Sequence, residues 1–508
     1  MAFSIFVKGQ NYMEVLSFVL YFVVVLGIGV FFFFKSKDNS EKGYFLGGRK
    51  MGPWVTAMSA QASDMSAWLL MGLPGSILAF GLGQAWIGIG LAIGTALNWI
   101  FVARRLRCFS KAANDSITLP QYLCNRFASK KMTLQVVSAV IFLVFFTVYV
   151  ASGFVAGTSV FTTLFPELGS DIAMLIFAFI IIAYTFLGGY NAVCWTDFFQ
   201  GLLMLVALLT VPITLAASGQ LDTSLLSQTV TSVDGTVYSF TSNPFKAPPK
   251  EIISGLAWGL GYFGMPHILV RFMAIEKPSM VKKSSTVAII WVILSLGATI
   301  ALAYFGKMLP LGAELLEQGN QKLIFINLAR SLFPPFIAGI LLAAIIAASM
   351  STADSQLLVA TSSFTSDIYK PIIRKKASSK EVLWVGRVVV LVIALIAYFI
   401  ASSKAEGAQT IMNMVENAWA GFGSSFGPVV ILSLFWKRLT YRGACAGVIV
   451  GALVDVLWLV FFKNTGIYEI LPGFACGLIA SVVGSLLDKK PSDEVIAIYE
   501  KAVSADCE

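Results

Sequence analysis

Long apolar stretches alternate with short polar segments along almost the whole chain. A stretch of about 20 apolar residues is long enough to cross a bilayer as an α-helix. Such stretches lie near residues 16–34, 54–80, 84–103, 134–162, 171–187, 195–217, 251–270, 285–308, 335–364, 383–402, 410–436, 443–462 and 468–487. The pattern predicts an all-α polytopic membrane protein with about thirteen transmembrane helices.

The composition agrees with a bilayer as the surrounding solvent. Of the 508 residues, 57% are hydrophobic and only 12% are charged, and the mean hydropathy is +0.81. A soluble domain usually carries about 25% charged residues. This scarcity of charge excludes a soluble enzyme, a secreted scaffold and a disordered protein. The net charge of +9 is explained by basic membrane loops, so no nucleic-acid partner is expected.

The basic residues fall mainly on one side of the predicted bundle. Most of the 36 Lys and Arg, Arg271 included, lie in alternate loops near 35–50, 104–131, 271–283, 370–387, 437–442 and 489–501. Because Lys and Arg concentrate in cytoplasmic loops, we expect the N-terminus outside and the C-terminus inside. Residues 1–487 then form one transmembrane domain, and residues 488–508 form a short cytoplasmic tail.

The second predicted span contains polar residues that a lipid-facing helix avoids. Asp64 lies beside Ser63 and Ser66, and Gly72 and Pro74 follow. A carboxylate inside the membrane costs several kcal/mol unless it is paired or hydrated. Small and hydroxylated neighbours allow the helix to unwind and present carbonyl and hydroxyl oxygens, which suit an alkali cation. The alternative is that Asp64 caps a helix end or hydrogen-bonds a neighbouring helix.

The seventh predicted span is also interrupted. Four glycines precede Pro266 within twelve residues, which argues against a continuous helix. Trp258, Tyr262 and Phe263 would offer aromatic surface beside freed backbone groups, as in a pocket for a small solute. An ordinary kinked helix with aromatic packing is the alternative.

The two interrupted spans occupy matching places in two halves of the chain. Five spans separate their starts, so residues 54–217 and 251–436 form two candidate repeats of five helices each. Discontinuous helices at corresponding positions of inverted repeats mark the midplane binding site of many secondary transporters. The stretches 16–34, 443–462 and 468–487 would then flank this core.

Further polar residues lie in the sixth and ninth predicted spans. Ser351 and Ser355 are four residues apart and share a helix face, with Thr352 and Asp354 beside them. This stripe predicts a face turned into the bundle, and interhelical hydrogen bonding is the alternative role. Asp197, at the start of the sixth span, has the alternative of a simple helix cap at the membrane surface.

These motifs together resemble the sodium:solute symporter family. The resemblance covers nearly the whole chain, and within the family the motifs are most similar to those of bacterial sodium/proline symporters. The segments that carry it are Tyr44 to Arg49, Ala62 to Ser66, Trp68 to Gly75, Trp258 to Gly264, Pro266 to Leu269 with Arg271 and Phe272, Met350 to Thr352, and Asn417 to Gly423.

The resemblance implies a fold and a set of binding residues. The fold would be a LeuT-like core of two inverted five-helix repeats with flanking helices. The sodium site would use the carbonyls of Ala62, Met65 and Ala348, the hydroxyls of Ser351 and Thr352, and support from Asp64. The solute pocket would use Ser66, Tyr149, Trp258, Tyr262 and Pro266.

The chain departs from the usual family pattern at several of these places. Gln61 and Ala67 stand where glycine is expected, and Met265 stands where glutamine is common. These departures bear on the identity of the solute. A second cation site at Asp197, Ser351, Asp354 and Ser355 is a further hypothesis, in which the two carboxylates hold a second cation or one shared proton.

The predicted function is sodium-coupled uptake of proline by alternating access. Na⁺ would be the coupling ion, with no organic cofactor, and the partners would be a small solute, Na⁺ and membrane lipid. The resemblance implies a bacterial inner membrane. Alternatives are symport of another amino acid, a sugar or a carboxylate, a membrane sensor, or a channel. An enzyme is not expected, because the chain has one histidine, His267, and no evident nucleophile–base pair.

Overall fold

The structure of the protein, a computed structural model, describes residues 2–35, 40–187, 189–403 and 410–504. Almost all of its regular structure is helical. The α-helices are α1 (Ala2–Lys35), α2 (Glu41–Leu46), α3 (Pro53–Met65), α4 (Gly72–Phe80), α5 (Ala85–Leu97), α6 (Arg104–Ala112), α7 (Leu119–Arg126), α8 (Thr133–Leu164), α9 (Ser170–Leu187), α10 (Tyr190–Ala217), α11 (Pro249–Ala257), α12 (Pro266–Ala274), α13 (Val281–Lys307), α14 (Pro310–Glu317), α15 (Ile324–Leu332), α16 (Pro335–Ser362), α17 (Ser379–Ser402), α18 (Thr410–Phe435), α19 (Tyr441–Phe461), α20 (Ile470–Leu487) and α21 (Asp493–Val503). The short strands β1 (Val230–Thr231) and β2 (Val237–Tyr238) form an antiparallel hairpin.

The prediction of a polytopic helical membrane protein is confirmed, but the number of thirteen spans is not. Within the described residues, ten helical stretches are long and apolar enough to cross a membrane, and the bent pair α11–α12 brings the number to eleven. Two shorter apolar helices, 67–80 and 170–183, lie at the remaining predicted positions. The count of thirteen and the orientation of the termini stay predictions.

The second predicted span is broken, as its sequence indicates. Helix α3 ends at Met65, and Ser66 leaves the helix with φ +47° and ψ −175°. A positive φ is uncommon for a residue other than glycine. The Ser66 hydroxyl accepts a hydrogen bond from the Trp68 backbone N–H (3.1 Å), and a short 3₁₀ turn over Ala67–Leu69 leads to α4. The break therefore exposes the end of α3 inside the bundle.

The seventh predicted span is broken as well. Helix α11 gives way to a 3₁₀ segment over Trp258–Phe263, and α12 begins at Pro266. The two halves are bent by 43°. Pro266 occupies the first turn of α12, where its missing N–H leaves no helical hydrogen bond unmade.

Helix packing around the two broken spans follows a matching scheme. Helix α3 packs against α10 and α13, and the Trp258–Phe263 segment packs against α18 and α5. Helix α8 packs against α16 and α18, and α16 packs against α8 and α10. In the order of the two candidate repeats, α3 corresponds to the Trp258–Phe263 segment, α5 to α13, α8 to α16 and α10 to α18. When each helix is replaced by its counterpart, the same set of packed pairs results. The division into two repeats remains a prediction with which this packing agrees.

The remaining long helices surround this core. Helix α1 packs against α16 and α10, while α19 and α20 pack on each other and on α18. Helix α16 is buried along most of its length from Ala338 to Ser362, so it forms the centre of the bundle. The polar stripe predicted on the ninth span therefore faces protein on all sides.

Candidate functional site

Oxygen atoms from α3 and α16 converge at the break in the second predicted span. The Ser351 hydroxyl on α16 donates a hydrogen bond to the Ala62 carbonyl (2.9 Å) and lies 3.3 Å from the Ala348 carbonyl. Ser351, Ala62 and Ala348 are all fully buried. The structure thus brings together three of the predicted sodium ligands, and none of them carries a charge.

Thr352 and Met65 add further oxygen atoms beside this group. Thr352 is buried, and its hydroxyl has no hydrogen-bond partner among the described residues. Met65 is the last residue of α3, so its carbonyl is one of the four at the helix end that have no partner within the helix. These carbonyls carry the negative end of the helix dipole. The arrangement suits a small cation that prefers oxygen ligands.

Asp64 connects this group to two tyrosines. The Tyr262 hydroxyl donates to the Asp64 carboxylate (2.6 Å), and the Tyr149 hydroxyl donates to the Asp64 carbonyl (3.2 Å). Asp64, Tyr149 and Tyr262 are buried. The predicted sodium residue and two predicted solute residues therefore form one hydrogen-bonded unit across the second, fourth and seventh spans.

Aromatic rings surround Trp258, which lies in the same 3₁₀ segment as Tyr262. Its ring stacks against Trp68 at a centroid distance of 5.4 Å and packs against Tyr468 at 5.2 Å. The Trp419 indole N–H donates to the Trp258 carbonyl (2.8 Å). The predicted solute residue Trp258 is thus held within a cluster of four aromatic side chains. Ser66 and Pro266, also predicted for the solute pocket, stand at the two helix breaks.

The proposed second cation site contains a charged partner that the sequence analysis did not assign. The Arg271 guanidinium on α12 forms an ion pair with Asp197 (3.2 Å) and donates to the Ser355 hydroxyl. Ser59 also donates to the Asp197 carboxylate (2.7 Å). Arg271 and Asp197 are fully buried. A positive charge already lies beside Asp197.

Two expectations about these residues were wrong. Arg271 does not lie in the predicted inside loop at 271–283, because α12 continues to Ala274, beyond the predicted span end at residue 270. Asp197 does not cap a helix at the surface, because α10 begins at Tyr190 and Asp197 lies inside it, fully buried. Both errors came from placing a helix end a few residues short.

The other two residues of that proposed site are arranged differently. Ser351 is engaged with the Ala62 carbonyl, as described above. Asp354 is fully buried, and neither of its carboxylate oxygens has a hydrogen-bond partner among the described residues. The structure therefore joins Asp197 and Ser355 through Arg271 but leaves Asp354 outside these hydrogen bonds.

Three aromatic residues of the site were missed as site residues from the sequence. Trp68 and Trp419 lie in segments that carry the family resemblance, which is a signal for them. Tyr468 precedes α20, outside the two candidate repeats. No local pattern marks it, because its contact with Trp258 arises only from packing of the flanking helices.

The fold and the site define a class of protein. Uncharged oxygen atoms meet at a helix break inside a bundle of membrane helices, and aromatic side chains lie beside them. Within the described part of the chain, no group of three or more His, Cys, Asp or Glu side chains is placed to hold a metal ion. Oxygen ligands at broken helices are typical of ion-coupled secondary transporters.

Comparison with known sequences identifies the family. The profile of the sodium:solute symporter family matches residues 44–451, and the chain belongs to this family. It is 44% identical to the sodium/proline symporter of Haemophilus influenzae over 97% of this chain and 98% of the relative. It is 45% identical to the Escherichia coli sodium/proline symporter, with coverages of 96% and 95%. The high-affinity proline transporter PutP of Bacillus subtilis is 44% identical, with coverages of 93% and 97%. These relatives are transporters rather than enzymes.

Comparison with solved structures supports the fold. A Na⁺-coupled sialic acid symporter in a substrate-bound, outward-open state aligns with a TM-score of 0.74 at 19% identity, covering 94% of this chain and 99% of that protein. Mhp1, a nucleobase-cation-symport-1 family transporter, aligns with a TM-score of 0.54 at 14% identity, covering 92% and 99%. The protein therefore has the LeuT-like fold of these transporters.

Proposed function

We propose that this protein takes up L-proline together with Na⁺ across a bacterial inner membrane by alternating access. The observation that carries the ion-coupling part is the meeting of the Ser351 hydroxyl with the Ala62 carbonyl at the α3 break. The solute is inferred from the 43–45% identity to relatives named as proline transporters.

The sodium ion would bind where α3 and α16 meet. The ligands would be the carbonyls of Ala62, Met65 and Ala348 and the hydroxyls of Ser351 and Thr352. The Thr352 hydroxyl, which has no partner in the described part of the chain, and the carbonyls at the α3 end support this set. Binding of the ion would hold the broken span in one conformation, and Asp64 would add negative charge nearby.

Proline would bind between the two helix breaks. Trp258 would contact the apolar ring, while Ser66, Tyr149, Tyr262 and Pro266 would line the pocket. Because Asp64 bonds to both tyrosines, an ion that orders the α3 end also orders the solute residues. Such coupling between two ligands is typically about 1–3 kcal/mol. An inside-negative membrane potential adds about 2.3 kcal/mol per charge per 100 mV to inward sodium movement.

The test is uptake of radiolabelled proline into proteoliposomes. We expect concentrative uptake with an inward sodium gradient and little uptake with a proton gradient alone, while a lithium gradient reports on ion selectivity. Collapse of the sodium gradient should release the accumulated proline. Equal uptake with and without sodium would contradict the proposal.

A second candidate is sodium-coupled symport of another small solute. Gln61 is buried and its side-chain amide nitrogen has no partner among the described residues, and Met265 is fully buried at the start of α12. Both flank the helix breaks and depart from the family pattern. Competition of labelled proline by a panel of amino acids, sugars and carboxylates separates the two candidates, since a better competitor than proline would identify another solute.

The second cation site remains part of the proposal in a modified form. Arg271 supplies a positive charge to Asp197 and Ser355, so an additional ion is not needed there. Asp354 is a buried carboxylate without a hydrogen-bond partner in the described structure. It shares the single positive charge of Arg271 with Asp197, so one of these two buried carboxylates is left uncompensated, which is costly. We therefore place the second cation, either Na⁺ or a proton, at Asp354.

A further inference from the structure

A basic pocket lies at the end of the bundle that the loop charges predict to be cytoplasmic. Its volume is about 540 Å³, which lies within the range of roughly 300–1,000 Å³ that is common for ligand sites. Three separate segments line it, and all three belong to predicted inside loops. Its charged side chains are Lys42, Arg49, Arg107, Lys111, Asp115 and Lys501.

The single carboxylate in this pocket is already engaged. Asp115 accepts a hydrogen bond from the Arg49 Nε (2.8 Å) and forms an ion pair with Lys42. Burial alone would raise the pKa of Asp115, but the hydrogen bond from Lys42 and the charge of Arg49 outweigh it and hold the pKa below its ordinary value. Asp115 therefore does not neutralise the other basic residues.

Arg107 lines the pocket and has one guanidinium nitrogen without an acceptor among the described residues. Its Nε donates to the Ile275 carbonyl (2.7 Å) and its Nη2 to the Glu276 carbonyl (3.0 Å). Its Nη1 is buried and has no hydrogen-bond partner among the described residues. The residue as a whole is only 4% exposed. The nearby Arg49 guanidinium repels it. A buried guanidinium N–H without an acceptor is costly, and an anion would remove that cost.

Lys501 completes the pocket from a different part of the chain. It lies on α21, is exposed, and takes part in no ion pair within the described residues. Helix α21 packs against α6, the helix that carries Arg107. An anion held between Arg107 and Lys501 would therefore join the C-terminal helix to the end of the third span.

We propose that this pocket binds a phosphate group, supplied by a small phosphate ester or by a phospholipid headgroup. Arginine and lysine together match the charge and the several acceptor oxygens of a phosphate group. A carboxylate would use fewer of the donors that the pocket offers.

The pocket is placed to influence transport. Arg49 donates to the Met273 carbonyl near the end of α12, and Glu276 donates its backbone N–H to the Met51 carbonyl (3.0 Å). Helix α12 begins at Pro266 in the solute region. A phosphate group that fixes Arg107 would thus hold this end of α12 in place and slow its opening. This consequence rests on the proposed function, whereas binding itself does not.

The test is binding of inorganic pyrophosphate to the purified protein. Binding is measured by calorimetry and by the shift of the thermal unfolding midpoint, both at constant ionic strength. We expect wild type to bind and to be stabilised. Lys501→Gln should weaken binding about threefold, the size expected for one exposed charge contact. Lys490→Gln, an exposed lysine of the same predicted inside segment, is the matched control and should bind as wild type does. Arg107→Lys, which keeps the charge but loses the planar fork, should weaken binding further.

The source of the phosphate group is decided by two further arms. Binding of glycerol 3-phosphate in neutral-lipid nanodiscs supports a soluble ester, and stabilisation only in phosphatidylglycerol nanodiscs supports a headgroup. The proposal is overturned if glycerol 3-phosphate does not bind and phosphatidylglycerol nanodiscs do not stabilise the protein. Equal binding of pyrophosphate by the Lys501→Gln and Lys490→Gln proteins overturns it as well. Pyrophosphate trapped inside proteoliposomes should slow proline uptake by wild type more than by Lys501→Gln. If proline is not transported, the binding arms still decide the inference.

Discussion

Two polar regions lie one turn apart on α16 and meet their charge requirements in opposite ways. Around Ser351, neutral oxygens from α3 and α16 face each other, and among the described residues no basic side chain bonds to them. Around Ser355, the Asp197 carboxylate is paired with Arg271. The first region is suited to an ion that comes and goes, and the second contains a cation that belongs to the chain.

The difference also appears in which helices each region connects. The Ser351 region joins α3 and α16. The Arg271 region joins α12 to α10 through Asp197, to α3 through Ser59 (3.2 Å), and to α16 through Ser355. A permanent ion pair can hold four helices in register, whereas an exchangeable ion can link two helices only while it is bound. We therefore expect substitutions in the two regions to affect different measurements.

Arg271→Gln should have the largest effect, and it should act on stability. Removal of one partner leaves the buried Asp197 charge uncompensated, which typically costs about 3–5 kcal/mol. The thermal unfolding midpoint of the purified protein should fall sharply. The double variant Arg271→Gln with Asp197→Asn should recover much of the loss, because it removes both charges. A single variant as stable as wild type would show that the pair does not hold the helices.

Ser351→Ala combined with Thr352→Ala should act on sodium rather than on stability. Loss of two oxygen ligands should lower the apparent sodium affinity about tenfold or more, while the unfolding midpoint should fall much less than in Arg271→Gln, because only hydrogen bonds and no charge pair are lost. The measurement is the sodium dependence of proline uptake. Ser362→Ala is the control, because the Ser362 hydroxyl bonds to the Val359 carbonyl of its own helix (2.8 Å) and lies outside the proposed sodium ligands. Wild-type sodium dependence in the double variant would contradict the assignment of these ligands.

Trp258→Ala should act mainly on the solute. Loss of the ring removes a contact with proline and loosens the aromatic cluster, so the apparent affinity for proline should fall about fivefold. The apparent sodium affinity should change less. Trp384→Ala is the control, since Trp384 lies on α17 and is 59% exposed. Equal losses for sodium and proline would place Trp258 outside the solute pocket.

The contrast between the two regions was only half predictable from the sequence. Glycine, proline and hydroxyl residues mark a helix break directly, because they change local backbone energetics, so both breaks and the Ser351 region were predicted. The partner of Asp197 was not predicted, because Arg271 follows an apolar stretch and is succeeded by Lys277 and Lys282. Four further helical residues place it inside the bundle, and only packing decides that extension. The contact between Tyr468 and Trp258 was hidden for the same reason.

Asp354→Asn should have the smallest effect on the rate of proline uptake and on the apparent affinities for proline and sodium. It tests whether the Arg271 region also binds an exchangeable cation. Asp354 lies between Ser351 and Ser355, and its carboxylate has no hydrogen-bond partner in the described structure. If it takes up a cation during transport, the amide should lower the number of positive charges moved with each proline by one. The ratio is measured from the membrane potential at which the proline and sodium gradients balance in proteoliposomes, and Asn preserves the side-chain shape. An unchanged ratio would leave Arg271 as the cation of this region, and the exchangeable ion would then bind only at the Ser351 region.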